Sequence, residues 1–115
     1  MRLEQALSMG AGRYPPLDEQ WVEDRFWVCV HYCSEKIARG EYFEALEMLG
    51  FLRMQVLGPL AMRRQGYEAR GLRKIETLLP EFTDKLKATV VQPERSDLQN
   101  ATELVAALYL ELQKT

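Results

Sequence analysis

The fold is decided by residues 21–62, which read WVEDRFWVCVHYCSEKIARGEYFEALEMLGFLRMQVLGPLAM. Apolar residues fall on almost every side of the two helices predicted here, and the five from Phe26 to Val30 follow one another directly. A helix with a single buried face would interrupt such a run with polar residues. Both helices are therefore predicted to be central or interfacial, with more apolar surface than a lone bundle of this size needs to bury.

Capping residues predict where these two helices begin and end. Asp18 is a candidate N-cap for a first helix that runs to about Arg39, and Gly40 supplies the left-handed residue that ends it. The second helix starts at once with Glu41, whose charge is favourable at the positive end of the helix. So short a link makes the two helices antiparallel neighbours.

Proline and glycine divide the rest of the chain. Gly58-Pro59 is predicted to kink the second helix, because proline lacks a backbone donor, and the helix then continues until Gly66 ends it. Pro80 is suited to the first turn of a further helix, and Ser96 or Asp97 can cap the last one. That last helix has a single apolar stripe, made of Leu98, Ala101, Leu104, Val105, Leu108 and Leu112.

Helical periodicity marks each of the predicted helices, and no stretch shows sustained strand alternation or an internal repeat. The sequence therefore predicts an all-α fold, an up-and-down four-helix bundle over residues 17–115. Residues 1–16 end in the turn-rich GAGRYPP and are predicted to be a lead-in or linker.

Composition narrows the class of protein. A chain of 115 residues with 47% hydrophobic content can bury one core of ordinary size. The balance of 15 Lys+Arg against 17 Asp+Glu makes nucleic acid an improbable general partner. Charged residues interrupt every apolar run well short of the roughly 20 residues of a membrane span. The first ten residues lack the pattern of a signal peptide, so we expect a cytoplasmic protein without a membrane partner.

The two cysteines, Cys29 and Cys33, lie one turn apart on a helix and are predicted to be reduced and structural. Without further Cys or His residues nearby, no metal site is predicted.

A basic cluster flanks the turns at Gly66 and Gly71. Guanidinium groups in such a loop can bind a phosphate or carboxylate in bidentate fashion, helped by the amides that open the next helix. Alternatively, Arg63 and Arg64 are solvated and complement the negative end of their helix. The candidate substrate- or anion-binding residues are Arg63, Arg64, Arg70, Arg73 and Lys74.

Arg25 and the only histidine, His31, could combine anion stabilisation with acid–base work, as in metal-independent RNA cleavage. Six positions correspond to about 600° of helix rotation, which leaves the two on different faces. We therefore assign no catalytic residue.

An acidic series can supply a general base to a neighbouring active site, but it more often marks a solvated helix edge. The series is Glu35, Glu41, Glu44 and Glu47.

Aromatic residues are dense in the same two helices. They can stack on a base or ribose, but at this density core packing and subunit contact come first. The candidate interface residues are Trp21, Phe26, Trp27, Tyr42, Phe43 and Phe51.

Several runs carry a family resemblance: residues 23–32 (EDRFWVCVHY), 36–46 (KIARGEYFEAL), 51–53 (FLR) and 56–60 (VLGPL), followed by Arg63 and Arg64. Together they resemble the helical C-terminal domain of bacterial nucleotidyltransferase-like proteins, which are similar to aminoglycoside nucleotidyltransferases and to the minimal nucleotidyltransferases. The resemblance extends from about Trp21 to Leu112.

In that family an N-terminal α/β domain carries Gly-Ser followed by an Asp-x-Asp pair, which holds magnesium and the nucleotide. The helical domain packs against it and contributes to acceptor binding and dimer formation. Neither motif occurs in this sequence. The resemblance thus implies a non-catalytic domain without a cofactor of its own, which forms part of an acceptor-substrate cleft and a dimer or interdomain interface. Magnesium and a nucleoside triphosphate would belong to a catalytic domain upstream or in trans.

The chain is also similar, more loosely, to the HEPN helical bundles that accompany such transferases. Some of these are ribonucleases with an arginine, four to six residues, then a histidine, a spacing that Arg25 and His31 match. Phe26 departs from the polar residue usual after that arginine, and the pair lies in an early helix rather than a late one. A metal-independent ribonuclease or toxin module is therefore the alternative, and a purely structural dimerisation bundle is the third possibility.

Overall fold

The computed structural model describes residues 18–114, and over these residues the chain is all-helical, as predicted. The predicted lead-in, residues 1–16, lies outside the described part. None of the described helices combines the length and apolar character needed to cross a bilayer. The helices are α1 (Glu19–Ala38), α2 (Tyr42–Leu52), α3 (Gly58–Arg64), α4 (Ile75–Leu78), α5 (Pro80–Lys87) and α6 (Arg95–Lys114), with a π-helical segment (Arg53–Leu57) between α2 and α3.

The ends of α1 are those that the capping residues predict. The Asp18 carboxylate accepts a hydrogen bond from the backbone N–H of Trp21 at 3.0 Å. Gly40 has φ +79°, the left-handed conformation that glycine adopts most readily. The second helix begins at Tyr42, one residue later than predicted, and Glu41 makes no side-chain capping bond there.

A π-helical segment directly precedes Gly58-Pro59, where the sequence predicts a kink. The N–H of Gly58 bonds to the carbonyl of Arg53, five residues back, instead of four. This wider turn immediately precedes Pro59, which has no N–H to offer and whose ring crowds the preceding turn of a regular helix. One long helical rod therefore runs from Tyr42 to Arg64 with a local change of hydrogen-bond register.

The second half confirms one predicted helix start and corrects another. Pro80 occupies the first turn of α5, as expected from its fixed φ. The prediction that Ser96 or Asp97 caps the last helix is wrong, because α6 begins at Arg95 and both residues lie inside its first turn. Helical bonding already starts with the Leu98 N–H to the Glu94 carbonyl.

The long helices α1, α2 and α6 contact one another, and the π-helical segment and α3 also contact α6. Near the middle of the core, the Cys33 Sγ lies 3.7 Å from the Ala45 carbonyl oxygen and 3.4 Å from the Thr102 hydroxyl. At the other end, Glu19 of α1 meets Arg64 at the end of α3, so α1 runs antiparallel to the rod. The largest fully buried side chains include Phe26, Ile37, Leu49, Leu52, Leu57, Met62, Leu98, Val105 and Tyr109.

Candidate functional site

An apolar groove opens to solvent between α1 and α2, and we term it the α1–α2 groove. Its volume is about 490 Å³. Phe43 is 75% exposed and Phe51 40% exposed, so much of their aromatic surface has no cover within the described chain. Clustered exposed apolar surface of this kind marks interaction sites. The lining residues are Tyr32, Phe43, Glu44, Glu47, Met48 and Phe51.

Helical spacing explains why these residues share one surface. Phe43, Glu47 and Phe51 follow at intervals of four, which places them along one side of α2. Met54, three residues on, is exposed and extends the stripe, and Val28 is exposed one turn before Tyr32 on α1. Part of the apolar surplus of residues 21–62 therefore lies on the surface of the folded chain.

A network of charged and hydroxyl groups forms one rim of the groove. The Tyr32 hydroxyl donates to Glu44 Oε1 at 3.0 Å, and this bond raises the pKa of Tyr32. Lys36 Nζ lies 2.9 Å from Glu41 Oε1 and 3.5 Å from Glu44 Oε1. The hydrogen bond from Lys36 lowers the pKa of Glu41, and the same contact raises the pKa of Lys36. The groove thus has an apolar floor and an acidic, internally ordered edge.

Of the six predicted interface residues, Phe43 and Phe51 line this groove. Trp21 is exposed at the start of α1, with the Arg25 guanidinium 5.1 Å from its ring centroid. Trp27 is exposed and packs edge-on against Tyr109 at 6.0 Å.

Tyr42 and Phe26 lie elsewhere. Tyr42 is half-buried, with Arg95 at 6.0 Å from its ring. Phe26 is only 1% exposed, because it stacks on Tyr109 with ring centroids 3.9 Å apart. Its selection as an interface residue is corrected: Phe26 belongs to the core and offers no surface to a partner in this conformation.

Two of the predicted anion-binding residues pair within the chain. Arg63 and Arg64 lie 3.2 Å and 3.0 Å from carboxylate oxygens of Glu19. Arg64 also donates through Nε to the Leu112 carbonyl at 2.8 Å, which ties α3 to the end of α6. The hydrogen bond from Arg64, more than any other contact, lowers the pKa of Glu19. These arginines thus link the ends of three helices, and Glu19 is the partner that sequence reasoning missed.

The other basic residues follow in the turn region after α3. Arg70 donates through Nε to Glu68 at 2.9 Å instead of joining Arg63 and Arg64 at Glu19. Arg73 and Lys74 are exposed, and Lys74 has φ +59° at the start of α4. The described contacts therefore do not bring the five basic side chains together at one place where an anion could bind.

Arg25 and His31 have separate surroundings on α1. Arg25 lies over Trp21, whereas His31, with 75% of its side chain exposed, lies 3.6 Å from Glu35 one turn on. This separation agrees with the rotation expected for six helical positions. The described contacts do not bring the two side chains to a common point.

A second cleft, which the sequence did not indicate, lies between α3, α5 and α6. Its volume is about 410 Å³, within the range of small-molecule sites. Phe82, Leu79 and Leu108 contribute apolar walls, and an ion pair between Lys85 and Glu111 at 3.2 Å lies at its edge. The cleft combines residues from separate helices, including Leu78 of α4, so no local pattern in the sequence could reveal it.

Within residues 18–114 no group of three or more His, Cys, Asp and Glu side chains is arranged to hold a metal. Both cysteines are free, and Cys33 is fully buried whereas Cys29 is partly exposed. Burial raises the pKa of both thiols.

Comparison of the chain with protein-family models, with curated proteins and with solved structures finds no match in any of the three.

Proposed function

We propose that this chain is a non-catalytic helical module that packs through its α1–α2 face against the catalytic domain of a nucleotidyltransferase-like protein. The observation that carries the proposal is the α1–α2 groove, whose aromatic residues Phe43 and Phe51 are exposed. Surfaces with central aromatic anchors and a polar rim are typical of protein interfaces. The resemblance over Trp21 to Leu112 supplies the class of partner.

The finer fold belongs to the same proposal. A four-helix bundle of the nucleotidyltransferase substrate-binding or HEPN type would consist of α1, the rod from α2 to α3, α6, and the shorter pair α4 and α5. The contacts of α1 with α2 and α6, and of α4 with α5, support this arrangement.

The cleft between α3, α5 and α6 is our candidate for the part of the acceptor-substrate site that this module contributes. Its size and its mixture of apolar walls with charged edges suit a small organic molecule. Magnesium and the nucleoside triphosphate would bind to the catalytic domain, and the module would position the acceptor.

Calorimetry can test the interface. The chain is titrated with an α/β domain that carries the Gly-Ser and Asp-x-Asp motifs and is taken from a nucleotidyltransferase with a helical C-terminal domain of this kind. We expect binding, and we expect the double variant Phe43→Ser, Phe51→Ser to weaken it at least about tenfold, since removing one buried aromatic side chain exceeds the free energy of a tenfold change.

The matched control is Leu110→Ser, which removes an exposed apolar side chain from α6, outside the groove. It should leave the affinity unchanged. Absence of binding by the parent chain, or an equal loss in the Leu110 variant, would contradict the proposal. Light scattering on the chain alone measures its oligomeric state, which distinguishes a third outcome in which the same face joins only two copies of this chain.

A melting experiment tests the acceptor cleft. Aminoglycosides are added to the parent chain and to Phe82→Ser, whose side chain lines the cleft. A ligand that binds the folded state raises the melting temperature by mass action. A rise in the parent that is lost in Phe82→Ser supports the proposed role. An equal rise in both would place the ligand elsewhere.

A further inference from the structure

We infer that the α1–α2 groove binds a basic amphipathic helix, with apolar residues in the groove and Lys or Arg residues along its acidic edge. The inference rests on the proposed function, because it uses the same face, and it adds the chemistry of the partner segment. Two features of the groove support it, the spacing of its apolar residues and the sign of its charge.

The spacing of the apolar residues suits a helix. Phe43 and Phe51 are two turns apart on α2, about 12 Å along its axis. An incoming helix with apolar residues at i, i+4 and i+7 also presents about one apolar side chain per turn, so its side chains can lie between the two phenylalanines. Met48, half-buried between them, has a flexible thioether that adapts to different side chains.

The charge of the groove selects a basic partner. Among the residues that the structure describes, the charged ones in its lining are Glu44 and Glu47. Lys36, which lies over the Tyr32 ring, is already engaged by Glu41 and Glu44, and only 16% of its side chain is exposed. Glu47 makes no ion pair with any residue of the described chain. The uncompensated charge at the groove is therefore negative, and a cationic partner is electrostatically complementary to it.

Glu35 follows Tyr32 by three residues on α1, so it lies on the same side of that helix and adds a further carboxylate there. It is exposed, and its described ion-pair partner is His31 at 3.6 Å, which carries a charge only when protonated.

The same charges disfavour a second copy as the occupant. Glu47 lies midway between Phe43 and Phe51 on the exposed stripe. In a two-fold contact centred on this stripe, each Glu47 would meet the Glu47 of the other copy, because an isologous interface uses the same patch twice. Like charges in such a position oppose association, whereas Lys or Arg residues of a basic helix would pair with them.

Fluorescence anisotropy with two designed peptides tests the inference on the full chain. Both peptides have about 18 residues, or five helical turns, and the same leucine stripe. One carries Lys and Arg beside the stripe, and the other carries Glu. We expect the basic peptide to bind at least about tenfold more tightly at low salt, with the preference falling as salt rises.

Two variants separate the contributions. Glu47→Gln should reduce the preference for the basic peptide severalfold, while Glu76→Gln, at an exposed position on α4, should leave it unchanged. Phe43→Ser should weaken both peptides. Circular dichroism melting confirms that each variant is folded.

Equal affinities for the two peptides, no binding of either, or self-association that Phe43→Ser removes would overturn the inference. The calorimetric test of the catalytic domain fails or succeeds independently. If that domain binds through Phe43 and Phe51 but the peptides are not discriminated, the proposed function stands without the basic helix. If the basic peptide binds and the catalytic domain does not, the groove binds basic helices as inferred, but the proposed function is contradicted.

Discussion

Gly58 and Gly71 approach each other so closely that a side chain on Gly58 would collide with the backbone at Gly71. An ideal Cβ at Gly58 lies 2.5 Å from the Gly71 carbonyl oxygen and 2.7 Å from Leu72 Cδ2. The φ of Gly58 is −62°, an ordinary helical value, so glycine is needed there for space and not for conformation. The turn region after α3 thus folds back onto the junction between the π-helical segment and α3.

Gly58→Ala is expected to destabilise the chain by about 1–3 kcal/mol, because the methyl group forces the Gly71 backbone to move. Gly50→Ala is the control: the nearest atom to its Cβ would be Arg53 Nη2, at an ordinary 3.6 Å. That change should stabilise by roughly 0.5–1 kcal/mol, since alanine favours a helix interior. Urea unfolding measures both. A neutral effect of Gly58→Ala would contradict the close approach.

Phe26 and Phe43 should respond in opposite ways to truncation. Phe26→Ala removes a core ring stacked on Tyr109 and is expected to cost about 3–5 kcal/mol of unfolding free energy. Phe43→Ala removes an exposed ring, and its effect on the isolated chain should stay within about 0.5 kcal/mol. Chemical denaturation of the two variants and the parent compares them. A large loss for Phe43→Ala would mean that the groove is closed in solution.

The two thiols should differ in reactivity in the native state. Cys29 is partly exposed, whereas Cys33 is fully buried and contacts Thr102. A thiol-specific reagent should therefore label Cys29 first, and the raised pKa of both thiols keeps labelling slow near neutral pH. In Cys29→Ser only the buried Cys33 remains, so labelling should be slower than in the parent until denaturant is added. Rapid labelling of Cys33 in the folded Cys29→Ser variant would contradict its burial.

Helix ends were predictable where a single residue decides them. Asp18 caps α1, Gly40 ends it, and Pro80 opens α5, each through its own backbone or side-chain chemistry. The start of α6 was not predictable in this way, because its first turn is closed by the Glu94 carbonyl and not by the side chain of Ser96. Proline chemistry predicted a kink at Gly58-Pro59, but not the π-helical segment before it, which depends on which carbonyl accepts the bond from the Gly58 N–H.

The candidate site was only partly predictable for a related reason. Periodicity indicated that residues 21–62 carry surplus apolar surface, but it could not separate Phe26 from Phe43. The difference arises from α6, where Tyr109 covers one ring and not the other. Arg64 was likewise predicted to be available for an anion, and its engagement with Glu19 joins residues 45 positions apart. Contacts of this range depend on how the helices pack, which local spacing does not encode.

The ion pairs of Glu19 with Arg63 and Arg64 should make the stability of the chain depend on pH. Glu19 has its pKa lowered from an ordinary 4.5, so its contribution to stability is complete above that value and is lost as pH falls through the folded pKa. With 41% of the Glu19 side chain exposed, solvent screening limits the effect of Glu19→Gln to about 1 kcal/mol at neutral pH.

Unfolding of the parent and of Glu19→Gln, measured from about pH 7 down to pH 3, should therefore show a stability difference that shrinks with acidity, because a protonated Glu19 and a glutamine are equally uncharged. Glu76→Gln on α4 is the control for loss of a surface carboxylate, since Glu76 makes no ion pair within residues 18–114 and its removal should change stability little at neutral pH. A difference that persists unchanged in acid would mean that Glu19 acts through packing. No difference at neutral pH would mean that the bond from Arg64 to the Leu112 carbonyl and the rest of the fold hold this end of the molecule without Glu19.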